Sequence, residues 1–218
     1  MDGDGRRPTP REAFELLQLG NRRFAAGASL HPNQDAARRA ELEPGQRPFA
    51  ALFGCSDSRL AAEIIFDRGL GDLFVVRTAG HILGPEVLGS LEYGLEVLGC
   101  PLVVVLGHDS CGAVAAARSA LEDGEIASGY VTDVIASVAP SVLAARANGL
   151  AKEREVIAEH IRRTVDLLME RSQALSRRVA DGRAAMVGMF YRLDVGTAHL
   201  VADRGLPIEV DRAGWATE

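Results

Sequence analysis

The sequence predicts an α/β fold: a single domain with a mainly parallel central β-sheet flanked by helices, an N-terminal helical arm and a C-terminal strand pair. Three observations carry that expectation. Apolar runs such as FAALFG (49–54) and PLVVVLG (101–107) are continuous rather than alternating, as in strands buried on both faces. Helical stretches separate these runs, which is the pattern of parallel strands joined by crossover helices. The 218 residues, with 47% hydrophobic content, suffice for one sizeable core.

The elements follow in order. Residues 1–8 are rich in Gly, Asp and Arg and are expected to be disordered. Residues 9–48 form a helical arm. Its helix, TPREAFELLQLGNRRFAAG, has Thr9 as a cap, Pro10 at the first helical position and Gly27 to end it. The rest of the arm, 28–48, reads as a polar connection with room for a short helix. It packs either on a partner subunit or back on its own domain. Residues 49–218 then form a single α/β domain. FAALFG is a strand, LAAEIIF (60–66) a helix, DLFVVRT (72–78) a strand and GPEVLGSLEYGLEVLG (84–99) a helix. PLVVVLG is the next strand and CGAVAAARSALEDG (111–124) the next helix. Residues 130–180 read as helices, and REVIAEHIRRTVDLLMER (154–171) is amphipathic through Val156, Ile157, Ile161, Val165 and Leu168. Strands at 184–193 and 197–201 close the chain around a turn at Asp194-Val195-Gly196.

Composition narrows the function. The formal net charge is −6, a poor match for a nucleic-acid or anionic-membrane binder. No apolar run reaches the roughly 20 residues of a membrane helix, and the N-terminus lacks the apolar segment of a secretory signal. A cytoplasmic location is expected. Three cysteines, an odd number, argue against a disulfide framework.

Chemistry concentrates at two strand ends. The first strand runs into CSDSR, with Cys55, Asp57 and Arg59 on alternating positions. PLVVVLG runs into HDSCG, with His108 and Cys111. Sites in open α/β sheets form beyond the carboxyl ends of strands, so the two clusters can meet. Two thiolates and an imidazole are a zinc set, and three protein ligands leave the fourth position open, as in catalytic sites. The bland alternative is a small buried Cys at a strand end. Cys100, at a helix–strand turn, reads as packing. His31, His160 and His199 read as structural or solvated, and His81, after a strand end, is a candidate to line the site. Arg59 can hold Asp57 bidentately and keep it anionic, so that it orients a hydroxide on the zinc. The alternative is a surface pair of little energetic value. Zinc lowers the pKa of water towards about 7. Thiolate donors are more electron-rich than imidazoles, so activity is expected to rise through mildly alkaline pH.

These residues resemble a known family. CSDSR followed by GHDSCG is similar to the β-class carbonic anhydrases, and especially to actinobacterial members. The likeness extends through GNRRF (20–24), GQRPFAALFGCSDSR (45–59), GDLFVVRTAGH (71–81), SLEYGLEVL (90–98) and VVVLGHDSCGAV (103–114). The resemblance implies one Zn2+ per chain on Cys55, His108 and Cys111, with Asp57 and Arg59 as the catalytic dyad. It implies Gln46 and the Gly112 N–H as substrate donors. Phe74 and Tyr93 would be apolar-pocket residues that line the cleft or come from across a dimer interface. The implied reaction is reversible hydration of CO2 to bicarbonate and a proton, in a homodimer or homotetramer. Some members bind inhibitory bicarbonate on a Trp, an Arg and a Tyr; here Arg77 and Tyr93 match but Leu52 replaces the Trp, so strong inhibition of that type is not expected. Hydrolysis of CS2 or COS on the same fold, a zinc-stabilised scaffold and a thiol redox protein are the competing readings.

Overall fold

A computed structural model describes residues 6–124 and 127–206. Eight α-helices and five strands are seen among the described residues. Helix α1 (Pro10–Ala25) starts at Thr9, whose side chain accepts from the Glu12 N–H while Glu12 accepts from the Thr9 N–H. This reciprocal capping satisfies two donors that the first turn leaves open. The helix ends at Ala25, and Gly27 turns the chain away with φ of +66°. The expectation of disorder in residues 1–8 lies partly outside the described residues; Arg6 pairs with Glu12, and Arg7 donates to the Gly99 carbonyl.

Strand β1 (Ala50–Cys55) leads through a loop to a short α3 (Ala62–Ile65), then to β2 (Leu73–Thr78). The helix expected over 60–66 is therefore trimmed. The Leu60 N–H is spent on a turn to the Asp57 carbonyl, and Ala61 is extended, so helical bonding starts only at Ala62. In the 28–48 connection, α2 (Ala36–Glu41) is the short helix. Next come α4 (Pro85–Glu96), β3 (Leu102–His108), α5 (Gly112–Asp123), α6 (Val131–Ala147), α7 (Glu153–Arg171), α8 (Gln173–Ala180), β4 (Ala185–Tyr191) and β5 (Ala198–Arg204).

The sheet order is β2-β1-β3-β4-β5. The β1–β2, β1–β3 and β3–β4 pairs are parallel, and β4–β5 is antiparallel. β1, β3 and β4 are buried along their whole lengths. This explains why they read as unbroken apolar runs. β2 is an edge, and its Leu73, Phe74, Val75 and Val76 are only half-buried. From β1 the chain passes to one side to form β2, then crosses back to place β3 on the other side. The β1–β3 junction is thus a switch point, where α/β sheets open a crevice.

Helix α7 covers β3 and β4. Its Ile161 fits because Gly107 and Gly188 have no side chains: a Cβ on either would come within 2.6 Å of Ile161. Helix α1 lies against its own chain, with Ala13, Phe14 and Leu17 buried. Gly20 lets its backbone approach Phe66, and Asn21 bonds the carbonyls of Ile65 and Gly196 and the Ala198 N–H. Among the described residues no helix is long and apolar enough to cross a membrane.

Candidate metal centre and active site

The switch point brings Cys55, His108 and Cys111 together. Cys55 ends β1, His108 ends β3 and Cys111 precedes α5, three residues after His108. The tight return is made through Ser110, which takes φ of +53°. Asp109 braces it, since its N–H donates to the Tyr191 carbonyl and its carboxylate accepts from the Leu193 N–H. All three side chains are buried, and their donor atoms lie within 4.8 Å of one another.

The local chemistry fits a metal ion. His108 Nδ1 lies 2.8 Å from the Asp109 carbonyl; a carbonyl only accepts, so Nδ1 carries the proton and Nε2 holds a lone pair. That Nε2 is buried without a hydrogen-bond partner. An orphaned lone pair beside two thiols is a donor set that suits zinc. The thiols share their protons unequally. A hydrogen bond from Cys111 lowers the Cys55 pKa against the effect of burial, helped by His108 and the backbone N–H groups of Asp57 and Gly80. Cys111 is pushed up, first by that hydrogen bond and then by burial, although the Ala113 and Val114 N–H groups of α5 oppose this. Burial works against the His108 cation, but the neighbouring Cys55 outweighs it and raises the pKa.

Asp57 and Arg59 flank this cluster. Arg59 Nε donates to Asp57 Oδ1 at 2.9 Å and its terminal nitrogen to Oδ2 at 2.7 Å. The Arg59 backbone N–H adds a third bond to Oδ1 at 2.9 Å. The Arg59 hydrogen bonds hold the Asp57 carboxyl well below the usual carboxylate range, against a smaller opposing effect of burial. Asp57 Oδ2 lies 3.9 Å from His108 Nε2, so the carboxylate faces the cluster. Arg59 also reaches the Ser110 carbonyl at 3.4 Å and ties the two loops together. Arg77, on β2, braces the same loop by donating to the Cys55 carbonyl at 2.9 Å and to the Asp57 carbonyl. Gly112 is exposed, and no atom comes within 4 Å of where its Cβ would stand, so its first-turn N–H borders open space.

The remaining expected residues are elsewhere in this chain. Gln46 precedes β1, at the far end of the sheet, and the strand between Ala50 and Cys55 alone spans about 17 Å at ~3.3 Å per residue. Phe74 pairs with Ala51, four positions from Cys55, and Tyr93 lies beside it with ring centroids 6.1 Å apart. Neither belongs to the cluster of its own chain. Cys100 is buried packing, and burial pushes its thiol up to about 12. His81 is fully enclosed, its ring against Phe53 and His160, with both ring nitrogens unpartnered. His160 is also buried, and its ring is tied to the turn beside Cys55. The sequence carries a trace of that placement: His160 falls between Ile157, Ile161 and Thr164 on the apolar face of α7.

Comparison with known proteins agrees with this geometry. The carbonic anhydrase family model matches residues 50–198. The chain is 56% identical over 191 residues to carbonic anhydrase 2 of Mycobacterium tuberculosis, covering 88% of this chain and 92% of that protein. It is 52% identical over 196 residues to the carbonic anhydrase of Mycolicibacterium smegmatis, covering 90% and 95%. Its fold is similar to a tetrameric β-carbonic anhydrase of Sordaria macrospora, with a TM-score of 0.69 at 22% identity over 87% of this chain and 98% of that one. A Coccomyxa β-carbonic anhydrase solved with acetazolamide gives a TM-score of 0.66 at 22% identity, over 84% and 83%. The chain belongs to the β-class carbonic anhydrases.

Proposed function

We propose that this enzyme reversibly hydrates CO2 to bicarbonate and a proton, with one Zn2+ per chain held by Cys55, His108 and Cys111. The observation that carries the reading is the buried Cys–His–Cys cluster, whose orphaned Nε2 faces the Asp57 carboxylate. When bound, zinc supplies a Lewis acid that brings the pKa of water towards about 7. The chain's own residues do the rest. Arg59 keeps Asp57 ionised and fixed, so the carboxylate accepts a hydrogen bond from the nucleophilic water and aims its lone pair. The Gly112 N–H, on the open side, is placed to donate to a substrate oxygen.

A second copy of the chain completes the site in this proposal. The apolar, half-exposed edge of β2 is a poor surface to leave in water. A partner packed there would bring Phe74 and Tyr93 to the neighbouring cleft, and Gln46 with them. Residues 9–48 are proposed as the arm of the assembly and 49–218 as the catalytic domain. A homodimer, or a homotetramer built from it, is the expected state, in the cytoplasm.

The test is stopped-flow CO2 hydration on zinc-quantified protein from about pH 6.5 to 9, beside Asp57→Ala. The expected result is activity rising with pH, one zinc per chain, and a loss of roughly 100-fold or more in the variant. Zinc-loaded wild type that is inert at every pH would overturn the reading.

A further inference from the structure

The turn after β2 is held in an unusual way. Gly80 and His81 take successive left-handed conformations, with φ of +61° and +40°. For His81 this is strained, and such strain persists only where the surroundings enforce it. Gly80 is wedged against α5, where an added Cβ would come within 2.6 Å of Ala113. From the other side His160, on α7, reaches across and places Nε2 2.8 Å from the Gly80 carbonyl. Because a carbonyl only accepts, Nε2 carries the proton. Burial keeps the ring neutral, so its Nδ1 accepts from the Ser141 hydroxyl, 2.8 Å away on α6. Ser141 and His160 are 4% exposed each, so water does not compete. The ring also packs against His81, with centroids 4.3 Å apart and planes tilted by 40°. His81 in turn lies against β3, where its ring would be 3.2 Å from a Cβ on Gly107, the residue before His108.

The result is a chain of contacts from α6 through α7 to the turn that follows β2, beside Cys55. Thr78, which opens the turn, is paired with Cys55 in the sheet, and its carbonyl accepts from the Ser56 N–H. We propose that Ser141 and His160 form a positioning clamp: by holding the Gly80 carbonyl they fix the turn that follows Thr78, and through the Thr78–Ser56 bond they set the backbone that carries Cys55, and so orient that ligand towards the metal. Partners that orient a metal ligand typically matter 10- to 100-fold in affinity.

This inference rests on the metal site proposed above, and the test separates the two. Wild type, His160→Phe, His160→Gln and Ser141→Ala are compared by chelator competition for zinc, by the cobalt–thiolate charge-transfer band of cobalt-substituted protein, and by the melting temperature of the metal-free forms. The expected result is zinc affinity about 10-fold or more weaker, with a displaced band, in His160→Phe. His160→Gln keeps a donor for the Gly80 carbonyl and is expected to recover most of both signals. Ser141→Ala moves them the same way by a smaller amount. A folded His160→Phe with wild-type affinity and spectrum overturns the clamp. If neither histidine variant folds, Ser141→Ala decides: wild-type readings in it also overturn the clamp. Wild type that binds no zinc, or Cys55→Ser that binds it as well as wild type does, overturns the metal site itself.

Discussion

His108 is committed on one side of its ring and open on the other. With Nδ1 bonded to Asp109, the Nε2 lone pair is buried beside two cysteines. The three thiols of the chain should therefore behave differently. Burial alone pushes Cys100 up to about 12, whereas Cys55 is drawn towards the thiolate by its hydrogen bonds. Alkylation at neutral pH, read by peptide mass spectrometry, is expected to leave all three intact in the zinc-loaded enzyme. After chelation Cys55 should label first and Cys100 last, because the thiolate is the nucleophile. Labelling of Cys100 first would contradict this assignment. Cys55, His108 and Cys111 were legible in the sequence because each follows or sits beside an apolar strand that ends in glycine. His160 and Ser141 were not. Periodicity puts His160 on a buried face, but which turn that face covers is settled by tertiary packing, not by local pattern.

At the scale of elements, the fit of α7 on the sheet depends on two absent side chains. Ile161 occupies the space that Gly107 and Gly188 leave on adjacent strands. Gly107→Ala is expected to destabilise by about 1–3 kcal/mol through overpacking, and Ile161→Ala by about 2–5 kcal/mol through the cavity it leaves. The double variant should cost less than the sum, since each change relieves the other; denaturant unfolding of the four proteins measures the coupling. Strict additivity would show that the contact is not the constraint. The strands themselves were readable because β1, β3 and β4 are buried on both faces and their sequences say so. The place of β2 was less readable. LFVV looks like a central strand, and only the topology shows that it is an edge. The late start of α3 has a different cause: the Asp57 loop takes up the residues before it, and apolar pattern alone does not register a loop.

The whole molecule should respond to acid through its interior. His81 and His160 are both fully buried, and desolvation lowers both pKa values. In the unfolded chain each titrates near 6.5, while the folded form stays neutral. Unfolding therefore takes up protons below about pH 6.5, so their contribution is complete above that pH and is lost as pH falls. Each histidine adds a slope of up to about 1.4 kcal/mol per pH unit. Urea unfolding between about pH 7 and 5 is expected to show this slope, and His160→Gln should flatten it by one histidine's share. An unchanged slope in that variant would mean that His160 is already charged when folded. A second whole-molecule expectation concerns subunit exchange. In a mixed dimer of Gln46→Ala and Cys55→Ser chains, one site would regain both Cys55 and Gln46. Co-expressed mixtures should recover activity that neither parent shows, and failure to do so would remove Gln46 from the shared cleft.

The polarity of the sheet has a further consequence. Cys55 and Gln46 stand at opposite ends of β1, so in the proposed assembly one chain would carry the metal yet lack part of the substrate cleft. Turnover per zinc should then depend on how concentrated the protein is. On dilution below the point where subunits part, metal content would stay constant while specific activity falls, and the loss would reverse on reconcentration.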